Sequence, residues 1–230
     1  MCYYETFADK KFAYIVGEYI NGITLTKYIQ KHKQIKPKLL WNLYSQLITG
    51  LSYIHFNGYA HRDIKTENIM ITHNNEIKYI DFGVSCRSIC GGNKCYTNCV
   101  GISGTQEYFP PEIAIDFYNY TETGEHTETG DLTNDQKLAN SMASDIWSLG
   151  VVMYQLANED HYPFNADLPL KELFTKELPR APTIKSNYKL DDGRTNTFLD
   201  LILINDPSER PQYDNVLSLL VDEIFAVPCK

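Results

Sequence analysis

The chain has 230 residues, of which 43% are hydrophobic, with a net charge of −8 and an isoelectric point near 5.2, so it can bury a substantial core as one large domain or two small lobes. The acidic balance argues against a nucleic-acid partner or an anionic membrane surface, since both favour a basic face. No apolar run approaches the roughly 18 residues that span a bilayer, and the first residues lack a secretory signal, so we expect an intracellular, cytoplasmic protein.

A strand pair is predicted at the start of the chain. The stretch from Phe12 to Glu18 is rich in β-branched and aromatic residues, which are typical of a strand, and residues 2–7 form its hairpin partner. Thr24 can then cap a short helix that continues through Gln30. The chain therefore opens with a β-hairpin and becomes helical after it.

A longer amphipathic helix is predicted from Pro37 to a stop signal that begins at Asn57. Leucine and isoleucine recur within it at three- and four-residue steps, which indicates one buried face. Two short strands follow at residues 68–71 and 76–82, joined by a polar turn. The intervening stretch "YAHRDIKTENIMI" thus forms a polar loop between a helix and a hairpin, where rigid elements can position chemical groups.

The C-terminal half predicts a helical body with one acidic insertion. The stretch "SDIWSLGVVMYQLANE" is apolar nearly all round, which is typical of a helix buried inside a domain, and two further helices are predicted at 198–211 and 213–225. Residues 113–136 contain six carboxylates, no Lys or Arg, and the near-repeat "YTETGE" and "HTETGD". We expect a mobile surface insertion at about residues 116–140, with a docking or phosphorylation tract as the alternative.

Four polar residues in or near the loop suit phosphoryl transfer. Asp63, Lys65 and Asn68 lie within six residues, and Asp81 follows across the hairpin that returns the chain beside them. The reaction requires a carboxylate to orient and deprotonate an attacking hydroxyl, a cation for the γ-phosphate charge and hard oxygen ligands for Mg²⁺. Asp63 can act as the carboxylate and Lys65 as the cation. Asn68 and Asp81 can hold the metal.

These motifs resemble those of the eukaryotic-type protein kinase family. "HRDIKTEN" followed by "DFG" is similar to the catalytic loop and the metal-binding motif, and "GTQEYFPPE" is similar to the segment that receives the substrate. "SDIWSLG" resembles the buried helix whose Asp145 supports the catalytic loop, and "DPSERP" supplies Arg210 as the buried partner of Glu112. Pro110 stands where the family usually has Ala. Five motifs agree in order and spacing.

The resemblance implies an α+β, protein-kinase-like fold. Residues 1–22 are then the residual strands and hinge of a small lobe, and residues 23–230 are the α-helical large lobe. The resemblance also implies ATP and Mg²⁺ as cofactors and a protein as substrate. Lys65 and Thr105 are similar to the serine/threonine branch of the family, so the expected acceptor is a Ser or Thr hydroxyl.

The resemblance further implies a hinge that binds adenine at the end of the strand pair. The carbonyl of Glu18 and the amide of Ile20 would bind the base, and Met70 would form the floor of its pocket. Gly17 matches the gatekeeper position, where family members mostly carry a larger side chain. The alternative is that Gly17 only marks a bulge in a strand.

Several parts that the family carries ahead of the hinge are not found in this sequence. No G-x-G-x-x-G loop, lysine-bearing strand or helix with a partner glutamate precedes the catalytic loop. Three hypotheses therefore stay open: an active serine/threonine kinase completed by a segment elsewhere, a catalytically inactive pseudokinase-like binding module, and a remnant without function. The intact polar residues of the catalytic loop favour the active kinase.

Four cysteines, Cys86, Cys90, Cys95 and Cys99, cluster after the DFG motif. Four thiolates on one loop could hold Zn²⁺, but zinc sites usually have closer pairs separated by a longer stretch. The alternatives are an oxidation-sensitive pair and ordinary unligated cysteines. A metal would order this segment in place of the phosphate that commonly pairs with Arg62 in kinases of this kind.

Overall fold

Residues 3–91, 94–124, 134–177, 193–212, 214–216 and 218 are described in the computed structural model of the protein. Within them, short antiparallel strands and longer helices combine in an α+β fold, as the sequence predicted. None of the helices in this part of the chain is long and apolar enough to cross a membrane.

The predicted β-hairpin is confirmed at the start of the chain. Strand β1 (Tyr3–Ala8) pairs antiparallel with β2 (Ala13–Gly17), with an irregularity near the open end of the hairpin. Asp9 closes the turn, since its carboxylate accepts the amide protons of Lys11 and Phe12 at 2.7 and 2.8 Å. Most large apolar side chains of this hairpin are exposed, so it adds little to the core.

Two further sheets flank the polar loop. Their strands are β3 (Gly22–Thr24), β4 (Tyr59–Ala60), β5 (Ile69–Thr72), β6 (Ile77–Tyr79), β7 (Cys86–Gly91) and β8 (Lys94–Thr97). One sheet has the order β3-β5-β6, and the other has the order β4-β7-β8. The sequence predicted β5 and β6. It did not predict the other four strands, because runs of two to six residues without clear alternation give a weak periodic signal.

The helices form the larger part of the fold. They are α1 (Leu25–Lys31), α2 (Pro37–Phe56), α3 (Pro111–Thr123), α4 (Asn134–Ala157), α5 (Leu170–Glu172), which continues as one π-helical turn, and α6 (Arg194–Asp200). The hydroxyl of Thr24 accepts the amide proton of Lys27 at 3.4 Å and so caps α1, as predicted. Pro37 begins α2, where its missing N–H costs nothing.

Helices α2 and α4 form the centre of the hydrophobic core. Leu43 and Leu47 of α2 and Trp147 of α4 are fully buried, which confirms the buried helix predicted from "SDIWSLGVVMYQLANE". The phenol of Tyr44 donates a 2.6 Å hydrogen bond to the carbonyl of Met153 and joins the two helices. This core is the rigid base on which the polar loop rests.

The predicted acidic insertion is helical at both of its ends. Helix α3 covers residues up to Thr123 and ends at Gly124, whose φ of +74° suits a helix terminus, and Phe117 packs against the core. Helix α4 begins at Asn134. The loop prediction was therefore wrong at these ends, because aromatic residues between the carboxylates give α3 a face to bury. Residues 125–133 lie outside the described part of the chain.

The helix predicted at 198–211 is wrong over most of that range, since α6 overlaps it only at 198–200. Helix α6 ends at Asp200, although Ile202 and Leu203 beyond it are buried. The carboxylate of Asp206 accepts the amide proton of Ser208 at 2.9 Å and so stabilises a turn, which competes with helix continuation. Of the second predicted helix at 213–225, the structure describes only 214–216 and 218, and these residues are helical.

Candidate functional site

The polar loop connects β4 to a short 3-10 turn, Thr66–Asn68, that leads into β5. At its start, His61 is fully buried. Its imidazole packs 4.8 Å from the ring of Phe82 in the DFG motif, and its Nε2 lies 3.1 Å from the carbonyl oxygen of Ile80. These contacts give His61 a structural role, and the candidate catalytic residues follow it in the loop.

Asp145 of α4 holds the backbone of this loop. Its two carboxylate oxygens accept the amide protons of His61 and Arg62, each at 2.7 Å. Its Oδ2 is also 2.9 Å from Nε2 of His55 in α2. Arg62 has a φ of +69°, which is unfavourable for a side chain of this kind, and the bonds to Asp145 help to hold that conformation. The support predicted for Asp145 is confirmed.

Asp63 is the centre of a hydrogen-bonded cluster. Its Oδ2 accepts a 2.7 Å hydrogen bond from Nδ2 of Asn68 and lies 2.9 Å from Nζ of Lys65. Its Oδ1 accepts a 2.7 Å bond from the hydroxyl of Thr105. Nζ of Lys65 donates to the same hydroxyl at 2.7 Å. The three predicted residues of the loop therefore lie together. Contacts from neighbouring side chains fix the orientation of both carboxylate oxygens of Asp63.

Thr105 is a site residue that the sequence-based site prediction missed. It lies in the segment after the cysteines, far from the loop in sequence, and it was used only as a mark of the serine/threonine branch. The pairing of the "GT" dipeptide with "HRDIK" was the signal that could have identified it. Thr105 fixes this segment to Asp63 and Lys65.

The same segment also approaches the backbone of Arg62. Gly104 has a φ of +118°, and a Cβ at this position would lie 2.7 Å from the carbonyl oxygen of Arg62, so only glycine fits. The guanidinium of Arg62 donates to the carbonyls of Val100 and Gly101 at 3.0 and 2.5 Å. Burial lowers the pKa of Arg62, and the charge of Asp145 opposes this effect.

Asn68 and Asp81 are brought to the same side of the β5–β6 hairpin. The amide of Ile80 donates a 2.9 Å hydrogen bond to the carbonyl of Asn68, so Asp81 follows directly beside it. Asp81 has a φ of +61°, and its Oδ1 accepts the amide proton of Gly83 at 3.2 Å. An amide oxygen and a carboxylate are hard donors, and Mg²⁺ commonly takes one or two such ligands plus phosphate oxygens and water.

The residues that were expected to form the hinge lie in or next to the β3-β5-β6 sheet. Met70 is half-buried in β5 and pairs across the strands with Lys78 of β6. Nζ of Lys78 lies 3.5 Å from the carboxylate of Glu18, and Ile20 is buried beyond it. The connection between β2 and β3 thus runs close to the strand pair that carries Met70.

The four cysteines do not form the four-thiolate zinc site that was one of the possibilities for this cluster. Cys86 and Cys99 are joined in a disulfide, with their Cα atoms 5.0 Å apart, so neither sulfur can act as a thiolate ligand. Strands β7 and β8 bring the two residues together at the open end of a hairpin that the sequence did not predict. The side chains of Cys90 and Cys95 lie outside the described part of the structure. Among the described residues, no group of three His, Cys, Asp or Glu side chains could hold a metal ion.

The chain matches a known protein family over most of its length. The model described as "Protein kinase domain" matches residues 1–220. This range contains the polar loop, the DFG motif, the segment around Thr105 and helix α4.

Curated proteins similar to the chain are serine/threonine kinases by name. "Serine/threonine-protein kinase PknB" of Mycobacterium tuberculosis (strain H37Rv) is 30% identical over 174 residues, which are 75% of this chain and 24% of that protein. "Probable serine/threonine-protein kinase SCO3848" of Streptomyces coelicolor is 29% identical over 205 residues, 86% of this chain and 26% of that protein. "Probable serine/threonine-protein kinase fnkB" of Dictyostelium discoideum is 43% identical over 110 residues, 46% of this chain and 20% of that protein. The chain spans about a quarter of the length of such relatives.

Proposed function

This chain belongs to the protein kinase family, and from that premise we propose that it transfers the γ-phosphoryl group of ATP to a Ser or Thr hydroxyl of a protein substrate. The names of the similar proteins support the serine/threonine branch. The family model matches residues 1–220, a range that spans the motifs on which this activity depends.

The arrangement around Asp63 is the observation that carries the proposal. A phosphoryl transfer of this kind needs little covalent chemistry from the protein and depends on positioning and charge. The carboxylate of Asp63 is held by Asn68 and Thr105 where it can orient an incoming hydroxyl and accept its proton. Nζ of Lys65, 2.9 Å from that carboxylate, provides a positive charge for the transferred group.

The ligands of the nucleotide and the metal are part of the proposal. Asn68 and Asp81 would hold Mg²⁺, which supplies positive charge to the phosphate oxygens when it is bound. The backbone of Glu18 and Ile20 would bind adenine, and Met70 would line the floor of its pocket. The half-buried position of Met70 and the contact from Lys78 to Glu18 support this assignment.

We also propose a cytoplasmic location and a protein rather than a nucleic acid as partner. The net charge of −8 disfavours binding to a polyanion. A cytoplasmic kinase would have access to both ATP and folded or unfolded protein substrates.

The test is phosphate transfer from labelled ATP to a mixture of Ser- and Thr-containing peptides. We expect wild-type transfer that requires Mg²⁺ and disappears on chelation, and we expect Asp63→Asn to lose it. Asp167→Asn is the matched control, because Asp167 is exposed and lies outside the site. Equal labelling by wild type and Asp63→Asn would reject the proposed role of Asp63.

The binding-module hypothesis gives a different result in the same experiment. A chain of this kind would bind partners through its helical lobe but transfer no phosphate under any condition. Nucleotide binding measured by calorimetry, without transfer, would favour this second function.

A further inference from the structure

The disulfide between Cys86 and Cys99 lies directly beside the catalytic loop. Both cysteines are buried, and they pack with Ala60 of β4 and with Met142 of α4. In the sheet, Cys86 pairs with Ala60, the residue just before His61. The covalent bond therefore attaches at the point where the chain enters the loop.

Its other end attaches to the segment that contacts the same loop. Cys99 is followed by Val100 and Gly101, whose carbonyls accept the hydrogen bonds of Arg62. These contacts form a closed ring. It runs from Ala60 to its strand partner Cys86, through the disulfide to Cys99, and along the chain to Val100 and Gly101. The hydrogen bonds from the guanidinium of Arg62 to these two carbonyls return it to the loop. The disulfide is the only covalent cross-link in the described part of the chain, and it closes this ring.

The ring leads on to the hydroxyl that contacts Asp63. Residues 99–105 run from the disulfide past Arg62 to Thr105, which donates to Asp63 and accepts from Lys65. Fixing one end of this short segment restricts the positions that Thr105 can reach, since seven residues have limited conformational freedom once both ends are held. Order in the segment is thus coupled to the geometry of Asp63.

Non-covalent contacts still join the two strands after the disulfide is reduced. The amide of Arg87 donates a 2.8 Å hydrogen bond to the side chain of Asn98, and the β7–β8 ladder continues from Ser88 and Thr97. The two strands would therefore stay paired after reduction, but Cys99 and the residues after it would lose their covalent anchor. Reduction is expected to loosen residues 99–105 without unfolding the hairpin.

A cavity lies beside this cross-link. It has a volume of about 690 Å³ and is lined by Cys86 together with aromatic and polar side chains, among them Tyr59, Phe82 and Asn98. Its size suits a small dithiol. Cys86 contributes to the wall of this cavity, although only 1% of its surface is exposed.

We propose that the Cys86–Cys99 pair is a thiol–disulfide modification site that controls the order of residues 99–105 and thereby the position of Thr105 at Asp63. A dithiol reductant attacks one sulfur as a thiolate, forms a mixed disulfide and releases the other cysteine as a thiol after protonation. The second thiol of the reductant then displaces the first cysteine, so two electrons and two protons pass to the pair and the reductant becomes a disulfide. In the cytoplasmic location proposed above, disulfides are typically transient and redox-sensing.

The test compares the oxidised and the dithiothreitol-reduced wild-type chain by hydrogen exchange of the backbone amides of residues 100–105. Mass spectrometry of the intact chain and of its peptides confirms the state of the pair. Allosteric couplings are commonly about 5- to 150-fold, and we expect exchange in this segment to be faster by about fivefold or more after reduction. Equal exchange in the two states would overturn the inference.

Two variants separate this effect from other consequences of reduction. Cys99→Ser should show the fast exchange with and without dithiothreitol, whereas Cys229→Ser, which removes a cysteine outside the pair, should respond like wild type. A Cys229→Ser variant that no longer responds would contradict the assignment to Cys86 and Cys99. Reduction of the wild type needs no substitution, so the comparison stands even if Cys99→Ser folds poorly.

The expected effect of reduction on activity rests on the proposed phosphoryl transfer, and it is measured in a separate experiment. We expect transfer by wild type to fall by about fivefold or more on reduction, in step with the exchange rates. Undiminished transfer by the reduced chain would contradict the control of Thr105 by this pair. Absence of transfer in both states would count against the proposed function, while the exchange experiment would still decide the inference about order.

Discussion

The hydroxyl of Thr105 donates a 2.7 Å hydrogen bond to Oδ1 of Asp63. The two residues are 42 positions apart in the sequence, and the contact joins the segment after the cysteines to the catalytic loop. Nζ of Lys65 donates to the same hydroxyl at 2.7 Å, so Thr105 lies between a cation and a carboxylate. This position makes it a link between the substrate-receiving segment and the proposed base.

Replacing Thr105 tests that link. Thr105→Val keeps the shape of the side chain but removes the hydroxyl, and we expect phosphate transfer to fall by about 10- to 100-fold because small errors in positioning are costly. Thr105→Ser retains the hydroxyl and should keep most of the activity. Steady-state kinetics with one peptide substrate would measure both, and equal kcat/KM for Thr105→Val and wild type would contradict the prediction.

Asp145 gives a prediction about the support of the loop. In Asp145→Asn, an amide group replaces one of the oxygens that accept from His61 and Arg62, and the charge that faces His55 is lost. Since hydrogen bonds to a buried charge contribute about 1.5–3 kcal/mol each, we expect the free energy of unfolding to fall by at least about 2 kcal/mol. Urea unfolding measures this change.

Asp145→Asn should lose more activity than the loss of folded protein explains. The hydrogen bonds from Asp145 help to hold the positive φ of Arg62, and Arg62 directly precedes Asp63 in the loop. Asp167→Asn serves as the control, since Asp167 is exposed. Activity per folded molecule equal to wild type in Asp145→Asn would limit Asp145 to a role in stability.

The sequence predicted the parts of the fold that have strong local signals. The leucine and isoleucine periodicity located α2, and the spacing from Asp63 to Asp81 located the loop and the hairpin behind it. The β7–β8 hairpin and its disulfide were not predicted, because the pairing of Cys86 with Cys99 depends on a strand register that four cysteines on one segment leave open. The contact of Thr105 with Asp63 is likewise a long-range contact, and helix or strand periodicity carries no information about such contacts.

Gly17 gives a prediction about nucleotide selectivity. It ends β2 next to the proposed hinge residue Glu18, and it has no side chain to occupy space beside the adenine ring. ATP analogues with bulky substituents on the adenine ring should therefore bind to wild type, and Gly17→Met should abolish their binding while ATP binding persists. Competition binding would measure both, and analogue binding that is equal in the two proteins would contradict the gatekeeper assignment.

The ion pair between Arg210 and Glu112 gives the last prediction, which concerns stability. The guanidinium donates to both carboxylate oxygens of Glu112, at 2.6 Å each, and the Arg210 side chain is fully buried. Glu112→Gln would leave that buried charge without its counterion, and breaking such a pair typically costs about 3–5 kcal/mol. Arg210 also donates to the carbonyl of Ile204 at 2.6 Å, a contact that remains in the variant and keeps the expected loss near the lower value.

The chain contains a matched control for this substitution. Glu172 lies 3.6 Å from Lys176, one helical turn away, and both side chains are largely exposed. Because exposed pairs of this kind contribute only about 0.3–0.5 kcal/mol, Glu172→Gln should change the free energy of unfolding by no more than that. Urea unfolding of the two variants in parallel measures the difference. Similar decreases in the free energy of unfolding for both variants would show that burial of Arg210 does not determine the strength of the pair. A much larger decrease for Glu112→Gln would assign the effect to the desolvated charge that Glu112 neutralises.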